Sequence, residues 1–120
     1  MIDTNVLVSA LISPSGKPAH ILRRILDRDI TLCLDDRIFT EYRLVLLRPK
    51  FRFDPALIAK LLQFIKANAL WVQAAPIQLP FPDPSDKKFF EVAKCCSAVL
   101  VTGNQKHYPQ DPLVKSVHEI

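Results

Sequence analysis

Glycine is almost missing: Gly16 and Gly103 are the only two in 120 residues. That scarcity excludes the glycine-rich loops that cradle nucleotide phosphates, and neither GxGxxG nor GxxxxGK[ST] occurs. Cysteine is scarce too. Cys33, Cys95 and Cys96 are odd in number, two are adjacent and none has CxxC spacing, which argues against a disulfide framework or a zinc site. Buried thiols in a reducing cytosol are the simplest expectation. His20, His107 and His118 have no spacing that suggests a catalytic triad or zinc ligands. No apolar run approaches the ~20 residues that span a bilayer. No basic-then-apolar leader with a cleavage site opens the chain. The expectation is a cytoplasmic protein without membrane attachment.

What is present suits one ordinary domain over residues 1–120. Hydrophobic residues make up 49%, enough for a sizeable core. The formal net charge is +4 but unevenly spread. Arg43, Arg48, Lys50 and Arg52 lie within ten residues, and Lys87 and Lys88 follow Asp86. Such a stretch is either a solvated face or a surface that contacts nucleic-acid phosphates. Composition alone does not choose between them.

Strand-like and helix-like segments alternate. Residues 2–8 read as a buried strand, with Asp3 near its centre. A helix is predicted over about 18–28 from Ile21, Leu22, Ile25 and Leu26, then a strand over 30–34. Asp35 and Asp36 offer an N-cap for a helix carrying Ile38, Phe39, Tyr42, Val45 and Leu46 on one stripe, ended by Pro49. Asp54-Pro55 opens the next helix, with Ile58, Leu61, Leu62 and Ile65 on its apolar face. Leu70-Trp71-Val72 is a short strand, and Pro76 to Pro84 an extended surface connection. A helix over about 85–96 turns Phe89, Val92, Ala93 and Cys96 inward. Ala98–Val101 is a buried strand and Val114–Val117 a weak last one. Alternation at this spacing argues for a parallel α/β sheet with helices on both faces.

In such folds ligands gather beyond the carboxyl ends of the strands. Glu41 lies on the flank of its helix's apolar stripe, Asp86 heads the buried face of its helix, and Thr102-Gly103-Asn104 leaves a strand end. With Asp3, these bring three acids and an amide toward one edge. Each has an ordinary alternative. Asp86 suits a helix N-terminus capped by Asp83 with Pro84 after it, Glu41 suits a pair with Arg37, and Asn104 suits a turn. Taken together they allow a narrower chemistry. Clustered carboxylates need a cation to remain ionised side by side. Oxygen donors without His or Cys suit Mg²⁺ or Mn²⁺, ions that polarise a phosphodiester and activate water.

The residues also carry a family resemblance, and it extends along nearly the whole chain. Asp3-Thr4-Asn5-Val6-Leu7-Val8-Ser9-Ala10-Leu11 resembles the opening motif of the PIN-domain nucleases. Glu41-Tyr42-Arg43 with Leu47-Arg48-Pro49-Lys50-Phe51 resembles the second motif of one prokaryotic branch. The stretch from Asp83 to Ala93 resembles the third motif, and that from Val101 to Pro109 the fourth. The resemblance implies a three-layer α/β/α fold with a central, mainly parallel sheet and a Mg²⁺- or Mn²⁺-dependent endoribonuclease activity. Similarity to the toxin-type (VapC-like) branch implies the toxin of a toxin–antitoxin pair, with a cognate antitoxin protein and a homodimer as partners beside RNA.

Carried over by position, Asp3, Glu41 and Asp86 would hold the metal. Asn104 would stand where many members have a fourth acid, and Thr4, Asn5 and Thr102 would support the site. Arg43, Arg48, Lys50, Lys87 and Lys88 would hold the RNA backbone. The neutral Asn104 departs from the family pattern, and both ends look shorter than in relatives. These departures suggest the alternative of a catalytically silent PIN fold that binds RNA or a protein. A third option is a nuclease directed at DNA.

Overall fold

The computed structural model describes all 120 residues. Five helices, four short strands and four 3₁₀ turns make up the chain. In chain order the helices and strands are α1 (Thr4–Ile12), α2 (Lys17–Leu26), β1 (Cys33–Leu34), α3 (Asp36–Leu46), α4 (Pro55–Asn68), β2 (Leu70–Trp71), α5 (Lys87–Cys96), β3 (Leu100–Thr102) and β4 (Val114–Ser116). All strand pairs are parallel. β1 pairs with β2 through Cys33–Leu70 and Leu34–Trp71. β3 pairs with β4 from Leu100–Val114 to Thr102–Ser116. On the other side of β3, Ile2 forms a single parallel bridge to Val101. This is an α/β fold of the kind the alternating pattern implies.

The opening segment corrects the sequence reading. Residues 2–8 are not a strand: extended pairing ends at Asp3, whose backbone N–H donates to the Val101 carbonyl at 3.1 Å. The chain turns into α1 immediately afterwards. Asp3 is the N-cap of that helix, its Oδ1 accepting from the Val6 N–H at 3.1 Å. Asp3 therefore lies at the strand's carboxyl end and not near its centre. The physical reason is that α1 buries five of its nine residues, Thr4, Val6, Leu7, Val8 and Ala10, and exposes only Asn5, Ser9 and Ile12. A polar face reduced to Asn5 and Ser9 gives a weak helical signal, and the apolar run Val6-Leu7-Val8 between them imitates a buried strand.

The remaining boundaries shift by a few residues. Cys33 and Leu34 alone of the segment 30–34 are strand, and the strand read at 98–101 is Leu100–Thr102. Asp35 caps α3 by accepting from the Ile38 N–H at 3.0 Å, and Asp54 caps α4 by accepting from Ala56 at 3.0 Å. Asp83 caps a 3₁₀ turn, Pro84–Asp86, that leads into α5. Ser97, at φ 51°, ends α5 in a left-handed conformation and redirects the chain into β3. Only Cys33 of the three thiols is buried; Cys95 is exposed and Cys96 half-buried, so the expectation of buried thiols holds for one.

One core of 28 buried residues unites these elements, including Leu7, Leu34, Ile38, Tyr42, Ile58, Ile65, Phe89 and Leu100. The proline-rich connection is fastened to it at two points. Phe81 packs against Phe90 and Tyr108, with ring centroids 5.8 and 6.2 Å away. The backbone N–H of Ile77 donates to Glu91 Oε2 at 2.8 Å. The other oxygen of the buried Glu91 takes Arg37 at 2.9 Å, and Arg37 also reaches Asp35 at 2.7 Å. Arg37 thus spends its charge on Asp35 and Glu91, not on Glu41 as the helical spacing suggested. No helix is long and apolar enough to cross a membrane.

Candidate functional site

Asp3, Glu41 and Asp86 arrive from three elements. Asp3 sits where the first extended segment meets α1, Glu41 lies midway along α3, and Asp86 ends the 3₁₀ turn before α5. Asp3 is buried. Its Oδ2 accepts from the Thr102 hydroxyl, and the same Thr102 oxygen accepts from the Asn104 backbone N–H at 3.0 Å. Burial pushes the Asp3 carboxyl above its ordinary range, and the charges of Asp86 and Glu41 push it the same way; hydrogen bonds from Thr102 and Val6 oppose them. Asp3 is thus close enough to both other acids to feel their charge.

Glu41 is gripped at both oxygens. Oε2 accepts from the Thr4 hydroxyl, and Oε1 pairs with the Lys88 ammonium at 2.7 Å. Asp86 is less satisfied. Its Oδ2 is buried without a hydrogen-bond partner, although the His107 Nδ1 stands 3.3 Å away. At that distance the contact is an ion pair only when the imidazole is protonated, and a weak one. Burial raises the Asp86 carboxyl, helped by the neighbouring Asp83 charge and opposed by His107 and Lys88. His107 Nε2 lies 3.0 Å from Asn104 Nδ2. A neutral ring that keeps its proton on Nδ1, facing Asp86, accepts at Nε2 from the Asn104 amide.

Two tyrosines close the back of the cluster. Tyr42, fully buried, donates to the Ile2 carbonyl at 2.5 Å. Burial and the charges of Asp3 and Glu41 push its phenol well above the usual range, so it remains a donor. Tyr108 carries a buried hydroxyl with no partner and is raised by burial and by Asp3, Asp86 and Glu41. Both phenols report negative charge gathered in front of them.

Of the residues singled out in the sequence, Asp3, Thr4, Glu41, Asp86, Lys88, Thr102 and Asn104 converge through these contacts. Asn5 is exposed on α1 and makes no hydrogen bond through its side chain. Arg43, Arg48 and Lys50 are exposed at the end of α3 and in the turn after it, with no ion pair to the acids. Lys87 is half-buried at the start of α5. Sequence reasoning set His107 aside and passed over Tyr108. The available signal was their place just beyond β3, His107 in the 3₁₀ turn Gln105–His107 that follows Asn104 and Tyr108 directly after it.

An α/β domain with its acids collected at the carboxyl ends of parallel strands is thereby defined. A family model described as PIN domain matches residues 1–106, and the chain belongs to the PIN-domain family, whose members are generally nucleases. The chain is also similar to an uncharacterized protein of Methanocaldococcus jannaschii. The two are 32% identical over 108 residues, covering 88% of this chain and 70% of the relative. No solved structure matches significantly.

PIN nucleases typically use divalent metals. No group of three or more His, Cys, Asp or Glu side chains stands in chelating geometry here. The donor chemistry nevertheless fits a hard cation: the charges of Asp86 and Glu41 add to burial in raising Asp3, and a buried Asp86 oxygen has no hydrogen-bond partner. Each of the other two acids has its oxygens engaged, by Thr102 and Val6 on Asp3 and by Thr4 and Lys88 on Glu41.

Proposed function

We propose that this protein is a divalent-metal-dependent endoribonuclease in which Asp3, Glu41 and Asp86 hold Mg²⁺ or Mn²⁺. The buried Oδ2 of Asp86, which makes no hydrogen bond and has only His107 beside it at 3.3 Å, is the observation that carries the reading. Such an oxygen is costly to leave unmade and is best satisfied by a cation. When bound, the ion supplies a Lewis acid that polarises a phosphodiester oxygen and makes water more acidic.

The chain's own residues set the stage for that chemistry. Thr102 and the Val6 N–H fix the rotamer of Asp3, and Thr4 fixes Glu41. Asn104, neutral where an acid is common in the family, holds His107 and adds no charge. Arg43, Arg48, Lys50 and Lys87 offer exposed or half-exposed cations to an RNA backbone. The toxin role, with an antitoxin and a homodimer as partners, rests on the motif resemblance and on family analogy alone.

Calorimetric titration of Mn²⁺ into the wild type, Asp3→Ala and Asp86→Ala tests the site, together with cleavage assays on single-stranded RNA and DNA. Binding lost in both variants, with RNA cut only by the wild type, supports the proposal. A folded wild type that binds no Mn²⁺ overturns it. A second reading, a silent fold that binds RNA or a protein, is favoured by the full pairing of Glu41 with Thr4 and Lys88. RNA retention in chelator, without cut product, would establish it.

A further inference from the structure

The ammonium of Lys88 stands inside the acidic cluster, and its position runs against local electrostatics. Lys87 and Lys88 occupy the first turn of α5, which holds no acid. A helix N-terminus carries partial positive charge and disfavours cations there. An unconstrained lysine at that position would extend into water. Lys88 instead folds back: its side chain is 15% exposed, its Nζ lies 2.7 Å from Glu41 Oε1, and it donates to the Ser85 carbonyl. Its Nζ also stands 4.9 Å from the centre of the Phe89 ring. Three partners of suitable chemistry distinguish this contact from an ordinary surface pair, which is worth little.

We propose that Lys88 is the resident counter-ion of the carboxylate cluster, which a divalent ion displaces from Glu41 and which then turns its ammonium to a phosphate of the RNA backbone. This rests on the metal-dependent reading above and adds how the site is held before the ion arrives. Glu41 has two oxygens, and Thr4 already donates to Oε2. A cation held by Asp3 and Asp86 would find Oε1 of Glu41, the oxygen Thr4 leaves free, taken by Lys88. Lys88 and the ion therefore compete for one oxygen. The four-carbon stem lets the ammonium swing without movement of the helix. The freed charge stays beside the acids, where the phosphate to be cut must lie. Lys88 is thus a positioning residue, exchanging a carboxylate for a phosphate.

Two measurements on the full chain test this. Mn²⁺ is titrated by calorimetry into metal-free wild type and Lys88→Met. Removing the competing ammonium should tighten Mn²⁺ binding about two- to fivefold, the size expected of one partly exposed ion pair. The metal-free variant should melt lower than wild type, and saturating Mn²⁺ should close the gap. Equal or weaker Mn²⁺ binding by a folded Lys88→Met overturns the proposal.

The second measurement needs no variant. Wild type is reductively methylated with and without Mn²⁺, and labelling is mapped by peptide mass, with Lys17 and Lys60 as internal controls. Mn²⁺ should raise labelling of Lys88 severalfold and leave the controls unchanged. Unchanged Lys88 labelling at saturating Mn²⁺ overturns the exchange while leaving metal binding intact. A wild type that takes up no Mn²⁺ in calorimetry overturns both readings and makes Lys88 a permanent partner of Glu41.

Discussion

The Thr102 hydroxyl joins Asp3 to Asn104: it donates to the Asp3 carboxylate and accepts from the Asn104 backbone N–H at 3.0 Å. Thr102 is fully buried and Asp3 nearly so, which leaves the carboxylate little water to fall back on, whereas Asn104 is exposed. Thr102→Val should therefore leave a buried carboxylate oxygen unmet. The expected loss is about 1–3 kcal/mol of unfolding free energy, read by urea denaturation, and Mn²⁺ affinity should fall with it. A change under ~0.5 kcal/mol would show that Asp3 is solvated in solution.

The raised carboxyl of Asp3 gives stability a definite pH slope. A folded-state pKa above the unfolded one means the folded chain binds the extra proton. Stability from this group is thus fully present below its unfolded pKa and is lost as pH rises toward the raised folded value. Asparagine keeps the cap to Val6 and removes the charge. In metal-free buffer Asp3→Asn should match wild type at acid pH and become the more stable of the two as pH rises toward neutral. Added Mn²⁺ should then stabilise wild type and not the variant, by thermal melting at each pH.

Asp86→Asn should abolish RNA cleavage, by more than about a hundredfold, while unfolding free energy shifts by no more than ~0.5 kcal/mol or rises. Single-turnover assays on a mixed-sequence RNA, with a denaturation curve for each protein, check both halves. Comparable cleavage by the variant would remove Asp86 from the reaction.

Glu91 holds the proline-rich connection in place through Ile77 and is itself held by Arg37. Glu91→Ala should cost about 2 kcal/mol, discounted for the half-exposed guanidinium. It should also quicken limited proteolysis between residues 76 and 83. Unaltered proteolysis would mean that the packing of Phe81 alone secures the segment.

How legible all this was in the sequence depended on what each residue displays locally. Capping aspartates announce themselves, since Asp35, Asp54 and Asp83 each accept from an N–H two or three residues onward. Asp3 does the same to Val6, but its cap was hidden because the run Val6-Leu7-Val8 just after it reads as a buried strand. The gathering of Asp3, Glu41 and Asp86 was readable from their places relative to strand ends and apolar stripes. The partners were not. Whether Glu41 takes Arg37 or Lys88 depends on how α3 meets α5, and Arg37 was drawn off by the buried Glu91. His107 lacked any spacing signal because its contact to Asp86 spans two elements distant in the chain.

Glu41 and Tyr42 are neighbours in α3, yet one reaches the Thr4 hydroxyl and the other the Ile2 carbonyl, on either side of Asp3. Two successive side chains thus straddle a single acid, and the helix works as a ruler fixed at one notch. A single-residue insertion between Asp35 and Glu41 would turn the helix by about 100° and carry both groups off their marks at once. Lengthening the connection between β2 and Asp83 moves neither. The chain therefore has an interval that tolerates drift in length and another, barely six residues long, in which length itself is part of the site.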